Sequence, residues 1–442
     1  MKDDIVTELE IEIVPEIYEN RSVALNITSS YYYPVLNTTA PFLISWARTM
    51  IEDFSISSFF ACFGVVFVLA LYLLQVIAIC YGKHRLHRHS QPNPSFPGVS
   101  VIKPIIGTDE NLYMNLRTCF TAEYHRYELL FCFNTPNDLG VPVVEQLMNE
   151  HPNIEATIFC GGEEAGLNPK INNMMPGYNA AKYPLVLISD SAIYMRHDDI
   201  LDMASTLMAD DKMALVTQVP YCRDRTGFAS EFEQVYFGTA HGRIYLSGNR
   251  LRFNCPTGMS SMMKKEALDE CGGFAAIAKY MAEDYFMGKK LIERGYTTGI
   301  SSHTALQNSG SVTYSYFVNR IGRWLKLRLS FMPQAVLVEP FQECFPAGLV
   351  MSLCLNYLFN VNVWTTMTLH VSFWIFTDYY LMRTIQNRRI LISFGRFILL
   401  WFIREISAPY IYLKAVLSPA LVWRGNVFDV AWGGKIRGRT DA

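Results

Sequence analysis

The run Tyr183-Pro-Leu-Val-Leu-Ile-Ser-Asp190 decides the fold, because it reads as a fully buried strand that ends on a carboxylate. A continuous apolar run of this length is typical of a strand inside a parallel sheet, where both faces are covered. Four other strand-like runs surround it: Val99-Ser-Val-Ile-Lys, Tyr127-Glu-Leu-Leu-Phe-Cys-Phe, Ile154-Glu-Ala-Thr-Ile-Phe and Met213-Ala-Leu-Val-Thr.

Helical patterns lie between the first four of these runs, over residues 110–121, 143–150 and 169–181. Strands that alternate with helices predict an α/β fold with a mostly parallel sheet covered by helices on both faces. Ligands of such sheets bind at the carboxyl ends of the strands. We therefore expect Asp190 and the loops that follow the other strands to surround a binding site.

Composition narrows the class of protein. The chain has 442 residues, of which half are hydrophobic, and its net charge is −2. A charge so close to zero gives no sign of nucleic-acid binding. The ten cysteines are scattered without metal-ligand spacing, which predicts reduced thiols on the cytosolic side of a membrane.

An uncharged apolar run over residues 57–81 is long enough to cross a bilayer, since a spanning helix needs roughly twenty residues. It begins too far into the chain, after an acidic segment, to be a cleavable signal peptide. The basic cluster Lys83-His-Arg-Leu-His-Arg88 follows at once, which predicts a cytosolic position for the rest of the chain and a lumenal N-terminus. Glycosylation sequons at Asn20, Asn26 and Asn37 all precede the run and favour the same orientation.

The C-terminal part is apolar again. Residues 341–382 are nearly uncharged and fit two short helices with a break near Asn360, and residues 394–422 are interrupted by Arg404-Glu405 and Pro409. Two or three spans are compatible with this pattern, so the chain is predicted to be multi-pass. The predicted parts are a lumenal tail (1–55), a transmembrane helix (56–81), a basic and proline-rich linker (82–98), a cytosolic α/β domain (99–330), a C-terminal membrane region (331–423) and a tail (424–442).

Two aspartates follow predicted strands. Asp190 is placed to hold a hard cation such as Mg²⁺ or Mn²⁺ on a diphosphate, because these ions prefer oxygen ligands. Ser191 and Ala192 follow it, so a second carboxylate is lacking and a simple strand cap is the alternative. Asp109, after the first strand, is a candidate for binding the nucleoside of a donor, or it caps the helix of residues 110–121.

The pair Glu283-Asp284 opens a predicted helix. Acidic residues there complement the helix dipole, which is one explanation for the pair. The other is acid–base chemistry, because a carboxylate within hydrogen-bond reach can take a proton from an attacking hydroxyl. We predict Asp284 as the catalytic base and Glu283 as a neighbour that binds or orients the substrate.

The run Arg320-Ile-Gly-Arg323-Trp324 predicts a binding site for an anionic leaving group. Arginines three residues apart lie near each other on a helix, and their guanidinium groups pair bidentately with phosphate oxygens. Trp324 is predicted to stack on a sugar or to cover a pyrophosphate. The helix also has the composition of an interfacial membrane helix, which is compatible with a site that receives a lipid.

With these residues the chain resembles the ceramide glucosyltransferases, membrane-bound inverting enzymes with a GT-A-like fold. The resemblance covers most of residues 99–423 and includes Asn168-Pro-Lys-Ile-Asn-Asn, Glu233-Gln-Val-Tyr-Phe-Gly-Thr, Thr257-Gly-Met-Ser and Ala282-Glu-Asp-Tyr-Phe-Met. It implies that the family's three aspartates correspond to Asp109, Asp190 and Asp284, and that its arginine–tryptophan motif corresponds to Arg320, Arg323 and Trp324. It also implies a substrate-binding role for His241 and Cys255, for which a surface histidine and a buried thiol are the alternatives.

The resemblance further implies UDP-glucose as the donor, ceramide as the acceptor, β-glucosylceramide as the product and a multi-pass position in the Golgi membrane. Alternatives from the same residues are a dolichyl-phosphate sugar transferase, a polysaccharide synthase or a non-catalytic membrane scaffold. Synthases normally have glutamine where this chain has Arg320, which argues against that alternative.

Overall fold

Strand Leu185–Ser189, within the run that opened the sequence analysis, lies in the interior of an eight-stranded sheet of the computed structural model. The structure describes residues 55–441 apart from 224, 333, 388–389, 419 and 424–425. The predicted sequons at Asn20, Asn26 and Asn37 therefore lie outside the described residues. The strands are β1 Val99–Ile105, β2 Tyr127–Phe133, β3 Ala156–Cys160, β4 Leu185–Ser189, β5 Ile193–Tyr194, β6 Met213–Cys222, β7 Ser260–Lys264 and β8 Thr297–Gln307.

The sheet has the strand order β3-β2-β1-β4-β7-β6-β8-β5 and is mixed. Its first four strands are parallel, as predicted. Strands β6 and β8 are parallel to each other and point in the same direction as β4, because β7 is antiparallel to both β4 and β6. The prediction of a mostly parallel sheet is therefore confirmed for six of the eight strands, and β7 and β5 are the two that run the other way. Strand β7 was not foreseen since Ser260-Ser-Met-Met-Lys264 is short and begins with two polar residues.

Helices cover both faces of the sheet. They are α2 Leu112–Phe120, α3 Val141–Glu150, α4 Pro169–Ala180, α5 Asp199–Leu207, α8 Lys265–Glu270 and α9 Glu283–Glu293. Alternate residues of β4 enter two different cores: Val186 packs with residues of α4 and α9, whereas Leu187 packs with residues of α2, α3 and α5. This two-sided burial explains why the strand reads as an unbroken apolar run.

Between β6 and β7 the chain forms α6 Phe228–Tyr236, a π-helical turn Phe237–His241 and α7 Gly242–Arg250. Such π-helical turns are rare and are found frequently at functional sites. After β8, helix α10 Tyr314–Phe331 carries the arginine–tryptophan motif, and the short helix α11 Ala335–Val338 follows.

Four helices carry the apolar segments: α1 Ile56–Arg85, α12 Cys344–Phe359, α13 Val363–Ile385 and α14 Phe394–Leu417. Helix α1 is the one helix of the described residues that is long and apolar enough, by length and composition, to cross a membrane, and α12 is apolar but shorter. Asn360 adopts a left-handed conformation with φ of 53° and ends α12, which is the break expected near this residue. Large apolar side chains such as Phe63, Leu353, Leu369 and Leu413 are exposed along these helices.

The basic segment after α1 attaches that helix to the α/β domain. Arg85 donates from Nε to the Ile300 carbonyl (2.7 Å) and from Nη2 to the Thr206 hydroxyl (2.9 Å). The His87 N–H donates to the carbonyl of Ser302 at 2.8 Å. The segment predicted to lie next to the membrane is thus bound to α5 and β8.

The C-terminal segment forms a small antiparallel sheet of β9 Leu421–Trp423, β10 Asn426–Val430 and β11 Ile436–Asp441. Its buried residues Leu421, Phe428 and Ile436 pack with Met281 and Leu327. The Ile436 N–H donates to the carbonyl of Lys279 at 2.9 Å. The sheet therefore lies against the loop that leads into Glu283-Asp284.

Candidate active site

Lys170 is the centre of the candidate site, although no sequence pattern predicts a role for it. Its Nζ lies 2.9 Å from Oδ1 of Asp190 and 3.1 Å from Oε1 of Glu283, and it donates to the carbonyl of Gly258 at 2.8 Å. Burial opposes the charge of this ammonium group, but Asp190 and Glu283 outweigh burial and raise the pKa of Lys170. A cation at the start of α4 thus brings together two predicted carboxylates that lie far apart in sequence.

The loop of residues 257–259 connects the predicted elements. The Gly258 N–H donates to Oδ2 of Asp284 at 2.7 Å, and the Asp190 N–H donates to the carbonyl of Met259 at 2.9 Å. Met259 Sδ lies 4.0 Å from Nη2 of Arg320. A Cβ atom on Gly258 would lie 3.1 Å from both Glu283 Oε1 and Lys170 Nζ, so a larger residue would press on both side chains.

Asp284 has the environment of a base that titrates near neutrality. Its Oδ2 accepts the Gly258 N–H and its Oδ1 accepts the Tyr285 N–H at 2.8 Å, which fixes the carboxylate at the start of α9. Burial and the neighbouring negative charge of Glu283 raise the pKa of Asp284 to about 6. A base is most effective when its pKa lies close to the operating pH.

A fully buried lysine in β1 forms hydrogen bonds at the end of β4, where Asp190 lies. Lys103 Nζ donates to the Ser189 hydroxyl and to the Asp190 carbonyl, both at 3.1 Å. The side chain of Asp190 is 35% exposed, and among the described residues Lys170 is the only cation paired with its carboxylate. One oxygen of Asp190 consequently faces solvent at the carboxyl end of β4.

The site residues fit a divalent cation that arrives with a diphosphate. Asp190, Glu283 and Asp284 have three formal negative charges and Lys170 and Lys103 have two positive charges, which leaves an excess of one negative charge at the cleft. Mg²⁺ is commonly held by one or two carboxylates together with substrate phosphates. Asp190, with its exposed oxygen, is the residue that would hold the ion.

A second group with metal-ligand geometry is Asp198, Asp199 and His303, whose ligand atoms lie within 4.8 Å of one another. This group does not include Asp190. Its polar atoms already have protein partners, because Oδ1 of Asp199 accepts from His303 Nδ1 at 2.9 Å and from Gln218 Nε2 at 3.0 Å. The group therefore has metal-ligand spacing but is held together by hydrogen bonds within the protein, and it is separate from the predicted site.

Asp109 lies in the loop after β1 and does not contact Lys170 or the other predicted carboxylates. Its Oδ1 accepts the Asn111 N–H at 2.9 Å, and its Oδ2 accepts the Gly310 N–H at 3.2 Å. Asn111 rather than Asp109 is at the N-cap position of α2, but the bond from the Asn111 N–H to Oδ1 of Asp109 still closes the turn that leads into this helix. The exposed carboxylate of Asp109 lies at the carboxyl end of β1.

Arg320 and Arg323 have different surroundings, although they lie three residues apart on α10. The guanidinium of Arg320 lies 3.6 Å from Oε1 of the buried Glu233 and 4.7 Å from the ring centre of Trp324. The guanidinium of Arg323 lies 5.8 Å from the ring of Trp423 in β9. Arg320 is thus fixed in position by an ion pair, and Glu233 is a second residue for which no sequence pattern predicts a role.

Trp324 stacks on His241, with ring centres 5.5 Å apart and an angle of 24° between the rings. His241 is buried in the π-helical turn, and burial together with Arg328 and Arg320 lowers the pKa of His241 to about 3. Its Nδ1 is buried without a hydrogen-bond partner among the described residues. His241 is therefore a neutral ring beside the motif and not a surface histidine.

Cys255 is partly buried and precedes the loop of residues 257–259. Burial raises the pKa of Cys255 to about 11, so its thiol stays protonated at neutral pH. A protonated thiol is a poor nucleophile and a poor metal ligand. Its Sγ packs against Gly248 in α7, where an added Cβ atom would come within 2.7 Å.

Comparison with known proteins places the chain among the glycosyltransferases. It belongs to glycosyl transferase family 21, whose family model matches residues 70–436. The predicted resemblance is thereby confirmed. Lys170 and Glu233 both lie in runs that carried the resemblance, but a lysine in a helix and a glutamate in an amphipathic segment gave no signal of their own.

Two nematode relatives and one yeast relative illustrate the similarity. Ceramide glucosyltransferase 3 of Caenorhabditis elegans is 54% identical over 396 residues, which cover 90% of this chain and 86% of that protein. Ceramide glucosyltransferase 1 of the same organism is 50% identical over 434 residues, with 98% and 91% covered. The ceramide glucosyltransferase of Komagataella phaffii is 25% identical over 425 residues, with 76% and 83% covered.

Among solved structures, a mannosyltransferase from Pyrobaculum calidifontis in complex with GDP-Man and Mn²⁺ is similar with a TM-score of 0.47 and 15% identity. The match covers 74% of this chain and 98% of that protein.

Proposed function

We propose that this chain transfers glucose from UDP-glucose to the primary hydroxyl of ceramide, with inversion, and releases β-glucosylceramide and UDP. The observation that carries this proposal is the cleft carboxylate of Asp284, held by two backbone N–H groups beside the Lys170–Asp190 pair. Its pKa of about 6 suits a base at neutral pH. The two relatives that are 50–54% identical over most of the chain carry the name of this activity.

In the proposed reaction Asp284 accepts the proton of the lipid hydroxyl as its oxygen attacks the anomeric carbon of glucose. The bond between that carbon and the UDP oxygen breaks on the opposite face, so the anomeric configuration inverts. Lys170 holds Asp190 and Glu283 in fixed positions, because it lies within 3.1 Å of both. Asp109, exposed at the carboxyl end of β1, is proposed to contact the nucleoside.

Negative charge develops on the leaving UDP, and stabilising such charge is usually the largest catalytic contribution. A Mg²⁺ or Mn²⁺ ion held by Asp190 would supply Lewis-acid stabilisation of the diphosphate. Arg320 and Arg323 add positive charge from α10, and the ion pair with Glu233 orients Arg320 in advance. The stacked rings of Trp324 and His241 lie beside Arg320, and Cys255 packs against Gly248 just before the loop of residues 257–259.

We further propose a multi-pass position in the Golgi membrane, with the α/β domain on the cytosolic side and the N-terminus in the lumen. The exposed apolar residues of α1, α12, α13 and α14 support it, since large exposed apolar surfaces mark membrane or protein contacts. The basic segment after α1 supports the orientation.

The direct test is expression in membranes that lack glucosylceramide, followed by addition of labelled UDP-glucose and ceramide. A labelled β-glucosyl lipid that depends on ceramide is expected, and chelation of divalent cations should abolish it until Mg²⁺ or Mn²⁺ is restored. Asp284→Asn should abolish the product and spare UDP-glucose binding. Asp211→Asn, a change at an exposed aspartate, is the matched control and should retain full activity.

Product with another lipid hydroxyl or with a lipid phosphate, and none with ceramide, would contradict the substrate assignment. Near-normal turnover by Asp284→Asn would contradict the assignment of the base.

A further inference from the structure

A cavity of about 270 Å³ lies between helices α6, α10 and α14. Its apolar wall includes Phe232, Ile244, Ile321, Leu325 and Ile411. Ile321 and Leu325 alternate along α10 with Arg320 and Trp324 of the motif, so the cavity face of this helix borders its motif face.

A series of packed aromatic residues links the cavity to the candidate active site. Tyr236 lines the cavity and lies 5.5 Å from the ring of His241, which stacks on Trp324. On the other side of His241, Tyr245 lies 4.9 Å away and donates from its hydroxyl to the carbonyl of Pro256 at 3.3 Å. Pro256 lines the cleft that holds Asp284. A continuous set of contacts thus joins the cavity to the carboxylate cleft.

Polar atoms without partners lie at the wall formed by α14 and the segment before α12. Nε and Nη1 of Arg404 and Oε2 of Glu343 are buried and have no hydrogen-bond partner among the described residues. The remaining nitrogen of Arg404 donates to Oδ2 of Asp378 at 3.2 Å and to Glu405. Leaving buried polar atoms unpaired is unfavourable, so a ligand that satisfies both a donor and an acceptor would bind well here.

We propose that this cavity binds the head of the acceptor lipid, with Arg404 donating to the amide carbonyl oxygen and Glu343 accepting from the amide N–H or a hydroxyl. This inference rests on the proposed function and names the subsite for the acceptor. Small-molecule sites are roughly 300–1,000 Å³, so the cavity suits the polar head and the first methylene groups. The remaining chains would lie in the bilayer along exposed residues such as Leu413.

The first experiment fills the cavity. Ala408→Phe places a ring in the cavity from α14, and Ile406→Phe makes a similar change at an exposed residue of the same helix. With full-length enzyme in nanodiscs, Ala408→Phe should raise the KM for ceramide by about tenfold or more while the KM for UDP-glucose stays unchanged. Ile406→Phe should match the wild type in both constants.

If Ala408→Phe no longer binds UDP-glucose, it has misfolded and cannot test the subsite. The KM for ceramide is then measured with Ile244→Trp, which fills the cavity from another wall. An unchanged KM for ceramide in a folded filled variant would overturn the subsite, even though glucosylceramide is made. Failure of the wild-type enzyme to glucosylate ceramide would instead refute the proposed function.

The second experiment tests the polar contact with Glu343→Gln, which keeps the shape of the side chain. Its effect is measured with ceramide and with N-methyl ceramide, which lacks the amide N–H. The variant should raise the KM for ceramide by about fivefold or more and leave the KM for N-methyl ceramide nearly unchanged. The reason is that weakening the acceptor at residue 343 affects only a lipid whose amide N–H donates to it, and N-methyl ceramide has no such N–H. Equal effects on both lipids would assign the Glu343 contact to a hydroxyl, and no effect on either would overturn its role.

Discussion

Asp284 and Glu283 are neighbours whose charges influence each other at the start of α9. Since Asp284 must be ionised to accept a proton, and its pKa is about 6, kcat/KM should fall about tenfold per pH unit below that value. Glu283→Gln removes the negative charge that helps raise this pKa, so the acid limb of the profile should move to lower pH. The measurement is kcat/KM against pH for the wild type and the variant, because kcat/KM reports the ionisation of groups in the free enzyme.

Asp211→Asn is the control for this profile, because its exposed carboxylate is distant in sequence from the pair and lines no part of the cleft. Its acid limb should coincide with that of the wild type. An acid limb that stays in place in Glu283→Gln would mean that another group controls it.

Gly258 is the residue at which the cleft has the least spare room. Gly258→Ala introduces a methyl group 3.1 Å from Lys170 Nζ and Glu283 Oε1, tighter than an ordinary contact. Since small misplacements at a reacting centre are costly, we expect kcat to fall about tenfold or more. Gly395→Ala, where a Cβ atom would meet no atom within 4 Å, is the matched control and should keep its activity. Equal turnover in the two variants would show that the cleft tolerates the added methyl group.

Helix α5 and strand β8 are held together by acidic residues and one histidine. Oδ2 of Asp202 accepts the N–H groups of Ser302 and His303, both at 2.9 Å, and His303 Nδ1 contacts Asp199. Burial opposes the charge on His303, but the hydrogen bond to Asp199 and the charges of Asp202 and Asp199 raise its pKa above 6.5.

A raised folded-state pKa means that the protonated histidine stabilises the fold below the unfolded value, and that this stability is lost as pH rises through the folded value. The difference in thermal midpoint between the wild type and His303→Asn should therefore be largest near pH 6 and smaller at pH 8. A difference that is constant over this range, or that grows with pH, would contradict the protonated form of His303.

Elements could be predicted from the sequence where one physical pattern dominates. Strand β2 was predicted at its observed bounds and β4 within the run from Tyr183 to Asp190, because buried strands read as continuous apolar runs. Strand β8 was not predicted, since five of its residues from Thr297 to His303 are polar. Ser302 and His303 are hydrogen-bonded to Asp202 of α5, and Ser302 also to the segment after α1. Periodicity cannot reveal partners that are so distant in sequence.

The candidate site shows the same limit. Asp190, Glu283 and Asp284 were predicted from their positions at element ends, and the structure brings them together. Lys170 was not predicted, because the pattern of α4 contains nothing that marks this lysine as central. The separate surroundings of Arg320 and Arg323 also depend on Glu233 and on the C-terminal sheet, which spacing on one helix does not reveal.

At the scale of the whole molecule, the membrane orientation predicted from the sequence determines on which side of the membrane the active site lies. The proposed cytosolic position of the α/β domain gives access to a soluble nucleotide sugar, while the apolar helices keep the acceptor lipid within reach. The basic segment fixes α1 to this domain through Arg85 and His87, so the orientation of α1 determines the side on which the active site lies.

This orientation is tested with glycosylation sequons on the two sides of α1. In microsomes, the sequons at Asn20, Asn26 and Asn37 should be modified, seen as a mobility shift that a glycosidase removes, and Asn→Gln at all three should abolish it. Leu139→Thr creates the sequon Asn137-Asp-Thr at a residue that is 70% exposed in the α/β domain. Added to the triple variant, it should give no shift, because that loop faces the cytosol. A shift from Leu139→Thr without one from the native sequons would place the active site in the lumen and reverse the proposed topology.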